Sequence, residues 1–539
     1  MLIKSLFWRL CAVSLTLLAA GLPLPAARSA AAPLAPAAGW HGLTAMLPPS
    51  VTLYNWAISP DSQYAVFVAD IDVDDRFELY SVPISGSVPV KLNGPLVAGG
   101  GQVNDFTFEI SPDSSRVIYR TDQDVDNRKE LYSVPIGGGT VVKLNGPMVT
   151  GGNVDSYLPD PDSERVVYIA DQQSNDVFEL YSVPIAGGAF VKLNPPLVAS
   201  GDVHAFESDP EAGVVVYTAD QDTNDRSELY SVPMIGGSST KLNLPVAASI
   251  GDFRIATGQA IVFFVAEPMG GGGYQLYAVD TVGGTVLRRS RDLNAGENVI
   301  SFQISPTGGQ VVYDVAGNNQ FTPGDLYATG LLMGTSHPLT AANVGFGVHS
   351  LDYAFTPDGS RIVCIYQHDA SSPKKLESLN ATGLPVISVD LFVPDASHSA
   401  GIFRISPDSQ WVVFQNYDNN NFNNSTLSAI PTPGGSAVGF GLGTDPIITP
   451  DSQRVIYRVP SSSSSELFSS QIFGGGLRNL SRVGNRNYAI GAQLSPDGQW
   501  IVYETQFNSA SGTLGYQLRA SDGSEAPPVF NMYLPLALK

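Results

Sequence analysis

The chain is poor in cysteine, histidine and basic charge, and each shortage removes a class of explanation. Only two Cys stand among its 539 residues. One of them, Cys364, lies beyond the first thirty-one residues, so no intrachain disulfide can staple the folded part and packing must hold it. Cys364 sits in the apolar run Arg361-Ile-Val-Cys-Ile-Tyr366, where a thiol behaves as a small hydrophobe rather than a nucleophile. Lys and Arg number 29 against 50 Asp and Glu, a net charge of −21. That balance repels nucleic acid and anionic lipid, and leaves cationic partners, metal ions or plain solubility as its uses. The six His (41, 204, 337, 349, 368 and 398) show no metal-ligand spacing. No Gly-x-Ser-x-Gly occurs. The glycine runs at 99–101, 137–139 and 270–273 lack the Lys-Ser/Thr ending and following helix of a phosphate loop, so they read as turns. No segment from residue 50 onward keeps a helical period for three turns, which disfavours a catalytic α/β domain.

At the N-terminus, Lys4 and Arg9 precede the apolar run 12–20 and the small residues Ser29-Ala-Ala31. Residues 1–31 therefore read as a secretory signal too short and too Pro-flanked to be a membrane span. The expected location is exported: secreted, cell surface or periplasmic. Loss of 1–31 removes three basic groups and no acid, taking the net charge from −21 to −24. An Ala/Pro-rich segment, 32–50, leads into the remainder, 51–539. Near the C-terminus, residues 527–538 are too apolar for a free end, and we expect them to form a strand or pack on a neighbouring one.

What fills 51–539 is one pattern repeated about ten times: a Ser-Pro-Asp turn, a short apolar strand ending in an aromatic, and a second strand. The register residues are Phe67, Tyr119, Tyr168, Tyr217, Phe263, Tyr313, Cys364 in an aromatic's place, Phe414, Tyr457 and Tyr503, spaced by 43 to 52 residues. That period matches four strands. The copy around residue 120 shows the whole unit: Val103 to Ile110, the turn Ser111-Pro-Asp-Ser-Ser115, Arg116 to Arg120, an acidic loop, Glu130 to Ile136, Gly137-Gly-Gly139, and Thr140 to Asn145. Pro presets φ in the turn, Asp and Ser bond their own backbone, and the Gly run permits the next reversal. The second strands, such as Val214-Val-Val-Tyr217, are apolar on both faces. Without helices to cover them, each sheet must lie between two others. The fold class is all-β: a β-propeller of about ten four-stranded antiparallel blades, in one large ring or two smaller ones.

Ser59-Pro-Asp-Ser, Ser111-Pro-Asp-Ser, Ser406-Pro-Asp-Ser and Ser495-Pro-Asp-Gly, each before an apolar strand and in the clearest copies before a Leu-Tyr strand with Gly-Gly beyond, resemble the TolB-type, WD-like propeller repeat. The resemblance spans nearly all of 51–539. It implies a protein- or peptide-binding module without enzymatic activity. The same family includes propeller domains of peptidases, so a hydrolase or lyase with an axial active site is the alternative, and a calcium-stabilised surface protein is a third.

The loops after the second strands carry oxygens at positions one, three, five and nine: Asp70, Asp72, Asp74 and Glu78; Asp122, Asp124, Asp126 and Glu130; Asp220, Asp222, Asn224 and Glu228; and, in weaker form, Asp171, Asn175 and Glu179. Hard oxygens at alternating positions of a tight loop suit Ca²⁺, and the pattern resembles calcium loops of some propeller blades. Position six holds Asp75, Asn127, Asp176 and Asp225 instead of Gly, residues that tolerate left-handed backbone. The same spacing also suits a solvated acidic hairpin.

Overall fold

The computed structural model describes residues 40–43 and 51–522, except 103–105, 244–246, 257, 269–270, 318–324, 331–335, 340–352, 367–372, 382–386, 394–396, 420–423, 462–463, 482–486 and 509–513. The predicted signal and the apolar stretch 527–538 lie outside them. Among the described residues there is no helix. Nine four-stranded meanders follow one another along the chain, and three further strands complete a tenth blade. Blade three is typical: Val154–Pro159, Arg165–Ala170, Glu179–Pro184 and Val191–Lys192, each antiparallel to the last.

Each blade buries both faces. The second strand of blade four, Val214–Ala219, is buried at all six positions, as β-branched and aromatic residues between two neighbouring sheets must be. Ten apolar clusters hold the molecule together, and each joins one blade to the next. The last of these settles the ring count. It packs Leu53, Trp56 and Phe67 of blade one against Trp500, Val502 and Leu518 of blade ten. The blades therefore close a single ring of ten.

The closing strand comes from the other end of the chain. Trp40–Gly42, inside the Ala/Pro-rich segment, pairs antiparallel with Leu514–Ser521 as the fourth strand of blade ten. Leu43 N–H donates to Leu518 O at 3.0 Å, as Leu144 N–H does to Leu131 O at 2.8 Å within blade two. The array thus begins before residue 51. The signal for this was a lone Leu in His41-Gly-Leu43, standing where other blades have Lys-Leu-Asn.

The Ser-Pro-Asp turns form a belt on one face. Ser111 Oγ donates to Asp113 Oδ1 at 2.6 Å and accepts Arg116 N–H at 2.9 Å. The next Ser, held at φ 61°, accepts from the preceding blade: Asp61 N–H reaches Ser114 Oγ and Asp113 N–H reaches Ser163 Oγ. Asp497 N–H reaches Ser62 Oγ at 3.0 Å across the closure. In blade five the register aromatic is Phe264 rather than Phe263, since Phe264 pairs with Tyr277 in the ladder and stacks on it at 5.5 Å. Two adjacent Phe made the strand end ambiguous in sequence.

Candidate functional site

The acidic loops and the first strands of the blades offer the polar chemistry. In the loops the structure divides the four candidate positions into two groups. Position one is buried and braces the backbone. Asp122 accepts Gly101 N–H at 2.8 Å on one oxygen and Asn127 N–H at 3.3 Å on the other. Asp70, Asp171 and Asp220 bridge the same two points of their own blades, receiving Asp75 N–H at 3.3 Å, Asp176 N–H at 3.0 Å and Asp225 N–H at 3.2 Å. The donor five residues on belongs to position six, which is left-handed in all four loops, at φ 60° to 61°. Asp and Asn meet there the demand expected of Gly.

Positions three and nine face a lysine. Lys91 Nζ lies 2.5 Å from Asp72 and 2.8 Å from Glu78; Lys143 lies 2.6 Å from Asp124 and 2.9 Å from Glu130; Lys241 lies 2.9 Å from Asp222 and 2.7 Å from Glu228. In blade three Lys192 pairs with Glu179, position three being Gln173. Hydrogen bonding to Lys91 holds the Asp72 carboxyl below its usual range. Burial works against the charge on Lys91 and Lys143, but their paired carboxylates outweigh it and hold them up. Tyr80, Tyr132, Tyr181 and Tyr230 donate to the same Glu carboxylates, and burial with that negative charge pushes their phenols up. The lysine of Lys-Leu-Asn, overlooked as a partner, recurs in the same four copies as the acidic loop, and that co-occurrence was the available signal.

Position five stays at the surface. Asp126 accepts from Asn127 Nδ2, while Asn175 and Asn224 donate to Asp176 and Asp225. In blade one, Asp70, Asp74 and Asp75 bring carboxylate oxygens within 4.8 Å of one another. Among the described residues this is the one such acidic trio.

Where one blade meets the next, the approach is made by the later blade's first strand, against the first, second or third strand of the blade before it, so the first strands line the axis, and the short fourth strands form the rim. In eight blades the register of the first strand shifts, skipping Tyr54, Asp155, His204, Gly251, Ile300, Gly401-Ile402, Asp445-Pro446 or Gly491, and in blade five it shifts a second time, at Ala248. A bulge re-aims a side chain out of the ladder. Tyr54 is 50% exposed, Ile402 40% and Ile300 37%, and Asp155, His204 and Asp445 are exposed as well. At the same level Gly251 leaves a cleft of about 260 Å³ between blades five and six, lined by Tyr274, Val299, Ile300 and Phe302. Two carboxyls of the first strands, Glu109 and Glu207, are pushed up to about 7 by burial, Glu207 against the pull of Arg254. No sequence feature announced the bulges. His337 lies in the short fourth strand of blade six, and Cys364 is fully buried, its thiol pushed up by burial.

No protein-family model and no curated protein matches the chain. Among solved structures it is similar to a eukaryotic initiation factor (10% identity, TM-score 0.46, 73% of this chain and 89% of that one). It is also similar to an oligogalacturonate lyase in complex with manganese (15%, 0.36, 62% and 92%) and to a putative TolB from Agrobacterium tumefaciens (18%, 0.27, 44% and 80%). At these scores the propeller assignment rests on the strand ladders themselves.

Proposed function

We propose that the protein is an exported propeller of TolB type that binds a protein or peptide partner on its axial wall without chemistry of its own. The observation that carries this reading is the row of bulges. In blades one, three, four, six, eight and nine a side chain is turned out of the ladder, and the row mixes aromatic, aliphatic, imidazole and acidic groups beside an apolar cleft. Such a mixture suits recognition of a polypeptide, whose side chains present the same variety. The test uses peptides selected from a random displayed library against the folded protein. Combining Tyr54→Ser, His204→Ala and Ile300→Ser should weaken selected peptides at least about tenfold with the melting temperature unchanged. Undiminished binding removes the axial wall as the site, and cleavage of the peptides would favour a propeller hydrolase.

A second reading concerns Ca²⁺. Lysine occupies the space between positions three and nine, so the calcium proposal narrows to the Asp70, Asp74 and Asp75 oxygens of blade one, with backbone carbonyls and water completing the shell. Extracellular-type sites bind with dissociation constants of about 10⁻⁴ to 10⁻³ M. Calorimetric titration should show one such event, absent when Asp74→Ala and Asp75→Asn are combined. Unchanged heats would leave the loop a solvated hairpin.

A further inference from the structure

The row of turned-out side chains has a gap where blade five meets blade six. The place filled by Tyr54, His204 and Ile300 in blades one, four and six falls to Gly251 in blade five. Blade eight also has a glycine there, Gly401, but the Tyr417 ring stands where its Cβ would be, so the chain closes that gap itself. A Cβ on Gly251 would meet the edge of the Tyr274 ring at 3.4 Å, an ordinary contact, and the cleft of about 260 Å³ remains. Its walls are tied together across the two blades: Tyr274 N–H donates to Asn298 Oδ1 at 2.9 Å, and Val299 N–H donates to Tyr274 O at 2.8 Å. Val265, Val299 and Phe302, all buried, supply apolar surface. Among the lining residues the one charged group is Asp252, whose side chain is 52% exposed. Arg254 Nη1 lies 2.7 Å from Asp252 but is shared with Glu207 of blade four at 3.6 Å. With both carboxylates ionised, the three groups together carry a negative charge.

We propose that this cleft receives one basic side chain, lysine or arginine, of the polypeptide partner, an inference that rests on the axial-wall reading above. The aliphatic stem of either residue covers the apolar walls while its head stays polar, and the head, beside Tyr274 and Phe302, meets two aromatic rings that favour a cation. The charge of Asp252 chooses between occupants. Any side chain that fills the cleft strips water from that carboxylate, which costs free energy unless a cation takes the water's place. Leucine or phenylalanine would satisfy the walls and leave Asp252 dry, and an acidic residue would add a like charge. The net charge of the whole chain, −21, draws a basic partner toward the same wall.

The test takes the peptides selected from the displayed library against the parent protein and runs a double-mutant cycle. Each basic residue of a selected peptide is replaced by Met in turn, and affinity is measured on the parent and on Asp252→Asn. One such replacement should weaken binding at least about tenfold on the parent and less than about twofold on Asp252→Asn. Gly251→Ile, which gives blade five the side chain of blade six, should block the cleft and remove the same sensitivity, and it keeps the test intact if Asp252→Asn does not fold. Peptides that are weakened by Tyr54→Ser, His204→Ala and Ile300→Ser in combination, yet contain no basic residue coupled to Asp252 or Gly251, overturn this proposal and leave the axial reading standing. Peptides indifferent to every one of these changes overturn both. Coupling of an aromatic peptide residue to Gly251→Ile, in place of a basic one, assigns the cleft to an aromatic anchor and overturns the proposal as well.

Discussion

In blades one to four a lysine of the fourth strand stands against a buried glutamate of the third, a tyrosine donates to that glutamate, and an asparagine accepts the Leu N–H fourteen residues before it. Leu131 N–H reaches Asn145 Oδ1 at 2.8 Å and Leu180 N–H reaches Asn194 Oδ1 at 2.7 Å. Blade five has Gln275 for the glutamate and Ser290 for the asparagine, and Arg288 turns away to the exposed Asp292 at 2.5 Å. Blade nine pairs Glu466 with Asn479 at 2.7 Å. Yet Leu276 N–H still finds Ser290 Oγ at 3.3 Å and Leu467 N–H finds Ser481 Oγ at 2.8 Å, again fourteen residues on. Blades five and nine keep the backbone's acceptor and break the ion pair, each retaining one of its charges with a new partner. An orphaned buried N–H is costly in any blade, whereas the ion pair is dispensable where the group left behind finds another partner.

The sharpest test of this equivalence lies in blade ten, whose fourth strand is not even covalently continuous with its third. Leu43 is fully buried, and Leu144, its counterpart in blade two, is 2% exposed. Leu43→Ala and Leu144→Ala should each cost about 3 kcal/mol in denaturant unfolding, the usual range for a truncated core Leu. If Leu43→Ala is neutral while Leu144→Ala is not, blade ten closes without its N-terminal strand.

Next in size is the cluster that only the first four blades carry. Lys143→Met strands Glu130, which is 3% exposed, and leaves Asp124 without its cation. A buried carboxylate deprived of its partner is the costly half of an ion pair, but Lys143 is partly solvated, so the loss should be about 2 kcal/mol. Arg288→Met in blade five, an exposed pair, should stay within about 0.5 kcal/mol. Equal losses would mean that the lysine's packing, not its charge, is what blades one to four need.

Much of this was readable in advance. The four-strand period, the two-sided burial and the belt of Ser-Pro-Asp turns follow from residues whose local preferences agree with the fold. The ring count was not readable, because closure depends on contacts more than 430 residues apart, such as Asp497 with Ser62, and on a three-residue strand with no repeat signature. In the acidic loops, spacing identified the oxygens but not their partners. Asp72 and Glu78 read as two ligands of one ion until Lys91, beyond the following turn, is seen to stand beside both. The axial bulges left no trace in sequence because Tyr54, Asp155, His204 and Ile300 have nothing in common but their place.

A pH-dependent difference should appear inside the near-identical set. Blade three has Asp160 where blades one and two have Ser59 and Ser111. Asp160 is 3% exposed, and burial, then the charges of Asp162 and Glu164, push it up to about 6. The folded state therefore holds this proton more tightly than the unfolded chain does. That stabilisation is fully present below the ordinary value of 3.8 and is lost as the pH rises through about 6. Asp160→Ser should accordingly be more stable than the parent above pH 7, by about 1 kcal/mol, with the gap closing toward pH 4. A gap independent of pH would mean that the hydroxyl's hydrogen bonds, not the removed charge, produce the gain.

The smallest effect addresses the acceptor itself. If the asparagine of Lys-Leu-Asn serves mainly to receive the Leu N–H, then Asn145→Ser, which gives blade two the residue of blades five and nine, should fold with the same melting cooperativity. It should lose no more than about 1 kcal/mol. Asn145 Nδ2 also donates to Gly146 O at 2.9 Å, a bond that serine in this place cannot reproduce while its hydroxyl faces Leu131, and one net hydrogen bond of this kind is worth roughly that much. Asn145→Ala is the decisive companion, since it leaves Leu131 N–H buried without an acceptor and should cost about 1 to 3 kcal/mol. The order Asn, Ser, Ala expresses the relation between the two halves of the ring: the acceptor is required, and its identity is free. If Ser and Ala cost the same, Ser290 and Ser481 owe their positions to drift alone, and the shared fourteen-residue bond does not hold the later blades together.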